Sequence, residues 1–127
     1  MHASLPHVAP IEDADFRATS TLDGARLTLR LEGQADPRSN ARIDVFLLEA
    51  HQQTVAADLK EVVVDFRPLA FMNSSCLKSL VTWLRRVQES PPEARYAIRF
   101  LHDPESHWQI RSFSALAAFG RGFLQIE

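Results

Sequence analysis

The most constraining feature of this sequence is an unbroken run of β-branched residues, Val62 to Val64, inside residues 61–66. A strand with one solvated face would alternate apolar and polar residues, so this run is typical of a strand that is covered on both faces of a sheet. Strands of that kind occur in α/β domains, where helices pack against a largely parallel sheet. We therefore predict that residues 61–66 form the central strand of an α/β fold.

The segments on either side of this strand show strand and helix patterns in turn. Residues 16–21 and 26–32 alternate with period two, and Asp23-Gly24 between them favours a hairpin turn. Three later segments carry apolar residues at helical spacing. The helices are predicted from Asp36 and Pro37 to about residue 56, from residues 73–75 to the stop at Ser90, and over about residues 106–119.

Two more strands, at residues 95–101 and 123–126, give the order ββαβαβαβ. Each strand-helix-strand crossover requires parallel neighbours and a right-handed connection, whereas the opening hairpin is antiparallel. The predicted fold is one domain at residues 15–127, with a mixed, mostly parallel β-sheet flanked by helices. Residues 1–14 contain two prolines and little periodicity, so they are predicted to be a flexible N-terminal leader.

Length, charge and cysteine content narrow the classes of function. The chain has 127 residues, the size of one domain, and its formal net charge of −2 gives no field that would attract nucleic acid. The lone cysteine, Cys76, excludes an intramolecular disulfide and a multi-cysteine zinc site. No metal or cofactor is expected, since His102 and His107 do not share one helical face. The lack of a signal peptide or long apolar stretch predicts a cytoplasmic protein without membrane insertion.

The residues around the central strand resemble a known family. The apolar strand ends in Asp65, residues 69–72 follow, and Asn-Ser-Ser-Cys at residues 73–76 opens the next helix. This arrangement resembles the STAS domain of bacterial anti-sigma-factor antagonists. In that family an apolar strand ending in Asp leads through a short loop to Asp-Ser-Ser-Gly or Asp-Ser-Thr-Gly at a helix start. Residues 31–33 and Asp36 extend the likeness back to the start of the first helix.

Two positions of the motif depart from the family pattern. Asn73 stands where Asp is usual, and Cys76 stands where Gly is usual. Asparagine keeps the capping ability of aspartate without its charge, so this change affects the chemistry of the motif more than its structure. The final helix that many relatives add after the last strand is not expected here. Apart from the leader, the resemblance covers nearly the whole chain.

The resemblance implies a function in signal transduction and transcription regulation that depends on protein binding and not on catalysis. In the family the second hydroxyl of the motif is phosphorylated by an anti-sigma factor with serine kinase activity, which makes Ser75 the expected phosphoacceptor and Ser74 its neighbour. A phosphate adds about −1.5 to −2 charges at pH 7 and would switch off docking. The expected partner is an anti-sigma factor or a related ATP-binding serine kinase. The residues expected to contact it are Asp36, Asn73, Ser74, Ser75, Cys76, Lys78 and Arg85.

Other interpretations of the same residues stay open. Residues 73–75 could serve only as the helix cap, worth about 1 kcal/mol, in a STAS scaffold or homodimer that phosphorylation does not switch. Cys76 near a helix N-terminus could be a reactive thiol. A hydrolase could use the serines with His102 and Asp65, although the sequence has no Gly-x-Ser-x-Gly elbow. A small-molecule sensor would need an apolar cavity with a few polar groups.

Two groups of aromatic and basic residues could enlarge a docking surface. Trp83 and the arginines at residues 85–86 lie on the second helix, and residues 107–111 place Trp108 among basic residues. Tryptophan and arginine are common anchors of protein interfaces. Equally, the arginines could form a solvated helix face, and Trp108 could pack at the edge of the sheet.

Overall fold

The computed structural model describes residues 8–127 of the chain. This part contains seven strands, three α-helices and two short 3₁₀ helices, at Pro37–Ser39 and Pro92–Ala94. The α-helices are α1 (Asn40–Ala56), α2 (Ser74–Glu89) and α3 (His107–Phe119). The strands are β1 (Ile11–Glu12), β2 (Phe16–Asp23), β3 (Arg26–Ala35), β4 (Glu61–Asp65), β5 (Leu69–Met72), β6 (Ala97–Leu101) and β7 (Leu124–Ile126).

The seven strands form one mixed sheet in the order β1-β2-β3-β4-β6-β7, and β5 pairs with β3 beyond the end of β4. The pairs β1–β2 and β2–β3 are antiparallel, whereas β3–β4, β3–β5, β4–β6 and β6–β7 are parallel. The mixed, mostly parallel sheet and the central place of β4 are therefore confirmed. The order ββαβαβαβ is also confirmed, with β1 and β5 as additional short strands.

The three helices pack on the same face of the sheet. Phe100 of β6 lies under two of them, because the Trp83 ring of α2 stacks at 6.4 Å and the Phe113 ring of α3 lies at 5.3 Å. Tyr96, which points to the same side, has its hydroxyl 2.8 Å from His51 Nδ1 of α1. The apolar residues of the strands on this face form a single core with the three helices.

The opposite face of β4 is covered differently from the prediction. Val63 points to this face and is 6% exposed, yet its neighbours in register are Thr28 and Arg99 on the adjoining strands. Among the described helices, none packs there. The central strand is therefore buried on both faces, as predicted, but on this face side chains of the sheet itself shield Val63 in place of a helix.

The domain begins earlier than predicted. The first half of the predicted leader, residues 1–7, lies outside the described residues. Val8 and Ile11 are buried, and β1 pairs with β2 through Ile11 opposite Ala18. Residues 8–14 therefore belong to the domain, and the predicted boundary at residue 15 is moved. A two-residue strand is too short to produce an alternating pattern, which is why the sequence gives no sign of it.

No helix within residues 8–127 combines the length and the apolar character that a membrane span requires.

Candidate functional site

Asn73, the predicted capping residue, is the N-cap of helix α2. Asn73 has extended backbone angles, and its side-chain Oδ1 accepts a hydrogen bond from the backbone N–H of Cys76 at 3.2 Å. Its own N–H donates to the carbonyl of Ala35 at 2.9 Å, which ties the cap to the end of β3. A side chain in this role satisfies one of the free N–H groups of the first helical turn. The start of α2 is thus fixed by the sheet.

The two serines of the motif occupy the first turn of α2. Ser74 is exposed and Ser75 is half-buried. The Ser75 hydroxyl oxygen accepts from Asn73 Nδ2 at 3.0 Å, and it lies 3.2 Å from Asn73 Oδ1, to which it can donate. Both hydroxyls therefore stand at the positive end of the helix dipole, where an added anion is stabilised.

Cys76 is turned into the protein. Its side chain is 0% exposed, and the thiol donates to the backbone carbonyl of Asp36 at 3.4 Å. Burial raises the pKa of the Cys76 thiol, so the reactive thiolate is disfavoured. The prediction that Cys76 contacts a partner is wrong, because the third residue of the α2 turn faces the core. The alternative of a reactive thiol is not supported either.

Asp36 adjoins the motif through its backbone. Its backbone carbonyl accepts a hydrogen bond from the Cys76 thiol. Its side chain caps the 3₁₀ helix Pro37–Ser39, because Oδ1 accepts a hydrogen bond from the Arg38 N–H at 2.9 Å. Arg38 Nη2 also donates to Asp36 Oδ2 at 2.7 Å. This hydrogen bond to Arg38 holds the pKa of the Asp36 carboxyl below its usual value. The carboxylate next to the α2 tip is therefore ionised and already engaged.

The outer side of α2 carries the remaining predicted contact residues. Lys78 and Arg85 are exposed, and with Ser74 they follow the spacing of one helical face. This face runs away from the α2 tip. The predicted contact residues other than Cys76 are each exposed or half-exposed, and we call this set the α2 surface: Asp36, Asn73, Ser74, Ser75, Lys78 and Arg85.

Trp83 does not belong to this surface. It is 0% exposed, and its Nε1–H donates to the Tyr96 hydroxyl at 2.9 Å. The idea that Trp83 frames a docking surface is therefore wrong. The reason is that Trp83 faces the sheet, where its ring stacks on Phe100 of β6 at 6.4 Å between ring centres.

Gln109 of α3 is a structural residue of the site that the sequence patterns do not indicate. It is 0% exposed, and its Nε2 donates to the carbonyls of Phe66 at 2.7 Å and Leu69 at 3.0 Å. Its Oε1 accepts from the Asp103 N–H at 2.8 Å. Gln109 thereby fixes the turn that leads from β4 to β5 and on to the α2 tip. The signal that could have found it is a polar residue one turn before the buried Phe113.

Trp108 combines features of both predicted roles, an interface residue and a residue packed at the edge of the sheet. It is half-buried, and its Nε1–H donates to the carbonyl of Ala70 in β5 at 2.8 Å. Its ring contacts the core through Phe113, at 6.0 Å between ring centres, and also lies 6.3 Å from the ring of Phe71. Trp108 thus packs at the edge of the sheet and supports an exposed aromatic neighbour.

The residues considered for a hydrolase are engaged elsewhere. His102 Nδ1 lies 2.7 Å from the carbonyl of Glu127. Asp65 pairs with Arg67, whose Nε–H donates to Asp65 Oδ1 at 2.9 Å and holds the pKa of this carboxyl below its usual value. Neither residue meets the serines of α2. Within residues 8–127 no three histidine, cysteine or acidic side chains are grouped to hold a metal ion.

A shallow apolar cavity of about 350 Å³ lies between the N-terminal segment and α1, with Ile11, Val45 and Phe46 in its lining. It lies on α1, away from the α2 tip. Very few polar groups line it, so it lacks the convergent polar contacts that the small-molecule alternative requires.

The fold is shared with solved structures of low sequence identity. Neither a protein-family profile nor a curated protein matches the chain. An anti-sigma factor antagonist from Mycobacterium paratuberculosis has 14% identity and a TM-score of 0.60 over 86% of this chain and 84% of that chain. The anti-sigma factor antagonist SpoIIAA in its unphosphorylated form has 14% identity and a TM-score of 0.59 over 87% of each chain. Phosphorylated SpoIIAA of Bacillus has 17% identity and a TM-score of 0.56 over 87% of this chain and 90% of that chain. The protein therefore shares the fold of these anti-sigma factor antagonists.

Proposed function

We propose that this protein is a cytoplasmic, non-catalytic regulatory module that binds an anti-sigma factor or a related ATP-binding serine kinase through the α2 surface. The observation that supports this proposal is the position of Ser74 and Ser75 at an accessible helix tip that the sheet holds in place. The shared fold with anti-sigma factor antagonists supports this class of partner.

Phosphorylation of Ser75 is the proposed switch. A phosphate adds about −1.5 to −2 charges at pH 7 to a surface that must dock against a partner. The free N–H groups and the dipole of the first helical turn stabilise an anion there by about 0.3–1 kcal/mol, so the domain stays folded. SpoIIAA, which has the same fold, has been solved in phosphorylated and unphosphorylated forms. The switch therefore acts on docking and leaves the fold intact.

The two departures from the family motif are compatible with this switch. Asn73 already donates from Nδ2 to the Ser75 hydroxyl oxygen, and a neutral amide does not repel a phosphate at that oxygen as a carboxylate would. The Cys76 side chain is buried on the inner side of the helix, so its thiol stays clear of the outward approach to Ser75.

A second candidate function is a binding module of the same fold that phosphorylation does not switch, acting as a scaffold or homodimer. The observation that favours it is the contact of the Ser75 hydroxyl with the capping amide of Asn73. Through this contact Ser75 has a structural role in the helix cap that does not depend on phosphorylation.

The test is a phosphorylation assay with the anti-sigma factors and serine kinases encoded near the gene of this protein. Wild type, Ser74→Ala, Ser75→Ala and the exposed control Ser114→Ala are incubated with ATP and each kinase, and intact mass is recorded. We expect one phosphate on every variant except Ser75→Ala. Absence of phosphate with every kinase, together with unchanged partner binding by Ser75→Asp, would refute the switch and leave the scaffold.

A further inference from the structure

Phe71 is exposed because of an irregularity in β5. In the pairing of β5 with β3, Leu69 is opposite Gly33 and Phe71 is opposite Gln34, so Ala70 is an extra residue. An extra residue shifts the following side chains to the other face of a strand. Regular alternation from the buried Leu69 would have buried Phe71, whereas the bulge leaves it 48% exposed and buries Met72 instead.

The exposed ring of Phe71 is held in a fixed place. Trp108 Nε1–H donates at 2.8 Å to the carbonyl of Ala70, the residue that the bulge removes from the regular ladder. The Trp108 ring then lies between Phe71, at 6.3 Å, and the buried Phe113, at 6.0 Å. A rigid aromatic ring loses little conformational entropy when it is buried by a partner. Phe71 therefore has the property of an interface anchor.

Phe71 lies next to the serines. Ser74 is three positions after Phe71, so their Cα atoms lie within about 11 Å of each other. One side of a standard protein interface covers about 800 Å², which is broad enough to include both. Aromatic residues are enriched in the apolar centre of such interfaces, with polar residues at the rim. The Phe71–Trp108 pair thus continues the α2 surface.

The charges around this pair indicate the chemistry of the partner. Lys78 is exposed one turn after Ser74, and Arg111 is exposed one turn after Trp108, while the acidic Glu105 is exposed three positions before Trp108. A partner with acidic groups around its contact area would be attracted to these cations. The same acidic groups would be repelled by a phosphate on Ser75. An acidic partner surface would therefore account both for binding to the unphosphorylated protein and for release after phosphorylation of Ser75.

We infer that Phe71, backed by Trp108, is the apolar anchor of the partner interface. It inserts into an apolar pocket with an acidic rim on the same protein that contacts Ser75. This inference rests on the proposed function, and it adds an anchor outside the residues that the motif indicates.

The test compares two exposed phenylalanines. Phe119 is 44% exposed and ends α3 about 16 Å along the helix axis from Trp108, so Phe119→Ala is the control for Phe71→Ala. The probe is the anti-sigma factor encoded nearest to the gene of this protein, and its affinity is measured by calorimetry. We expect Phe71→Ala to weaken binding at least about fivefold and Phe119→Ala to change it less than about twofold. Circular dichroism verifies that both variants are folded.

A photo-crosslinking experiment keeps an aromatic ring at the site. With p-benzoylphenylalanine in place of Phe71, irradiation is expected to link the same anti-sigma factor, whereas replacement of Phe119 gives no adduct. Unchanged affinity in Phe71→Ala, while Ser75→Asp weakens binding, would overturn the anchor and leave the proposed function standing. If wild type does not bind the factor, the proposed function and the anchor fail together.

Discussion

Replacing Gln109 with leucine removes the hydrogen bonds that hold the turn before β5. Leucine has a volume similar to that of glutamine, so the substitution leaves little cavity. Its main effect is therefore the loss of three hydrogen bonds made by a side chain that is 0% exposed. The carbonyl of Phe66 keeps its bond from the Leu69 N–H at 2.9 Å. The carbonyl of Leu69 and the N–H of Asp103 lose the partner that Gln109 supplied.

Leaving a buried donor or acceptor without its partner costs about 1–3 kcal/mol, and the added apolar burial of leucine offsets part of this. Since the Leu69 carbonyl is buried and the Asp103 N–H is half-buried, we expect Gln109→Leu to lower the free energy of unfolding by about 1–3 kcal/mol. Because a domain of this size is stable by about 5–15 kcal/mol, the variant is expected to fold. Its weakened turn lies directly before the α2 surface.

A charged variant tests the geometry further. In Gln109→Glu a carboxylate would face the carbonyl oxygens of Phe66 and Leu69, so burial and these acceptors favour the protonated form and raise its pKa in the folded state. The folded state then binds more protons than the unfolded state. The stability of Gln109→Glu is therefore expected to rise as the pH falls from 7 towards 5, relative to Gln109→Leu at each pH.

Urea denaturation followed by far-ultraviolet circular dichroism measures these changes. The control is Gln88→Leu on the exposed side of α2, which is expected to stay within about 0.5 kcal/mol of wild type. A Gln109→Leu protein as stable as this control would refute the assigned hydrogen bonds. The assigned hydrogen bonds would also be refuted if the stability of Gln109→Glu, relative to Gln109→Leu, did not change between pH 7 and 5.

Three substitutions and one labelling experiment test other contacts. Tyr96→Phe is expected to lower the free energy of unfolding by about 1–3 kcal/mol, because the buried Trp83 Nε1–H loses its acceptor; a change within about 0.5 kcal/mol in urea denaturation would contradict this. Gly33→Ala is expected to cost more than about 2 kcal/mol in the same assay, since φ is 92° and an added Cβ would overlap a backbone carbonyl. Gly122→Ala, with a φ of 99° and open space, should cost less, and equal costs would refute the overlap. Cys76 is expected to react with iodoacetamide only after unfolding, because it is buried and its pKa is raised; intact mass showing equal rates in folded and unfolded protein would contradict this.

Local rules explain why the main elements could be predicted from the sequence. The valine run requires burial, so it marks β4, and the caps at Asp36 and Asn73 use side chains that bond to backbone within their own turn. Such interactions depend on residues within a few positions of each other. They do not depend on how the helices pack.

The faces of the elements were harder to predict, because they depend on distant partners. The direction of Phe71 is set by a bulge in its pairing with β3, and a single extra residue inverts the pattern. Trp83 is buried because its ring stacks on Phe100 of β6, and Cys76 is buried because its thiol lies against the carbonyl of Asp36. Gln109 is buried only because three backbone groups from other segments converge on it.

The most direct test of the proposed docking surface is the affinity of the anti-sigma factor for protein that carries phosphoserine at position 75, incorporated during translation. If the tip of α2 docks against the partner, the modified protein should bind at least about tenfold more weakly than the unmodified protein, with an unchanged circular dichroism spectrum. Equal affinities for the two forms would contradict the account.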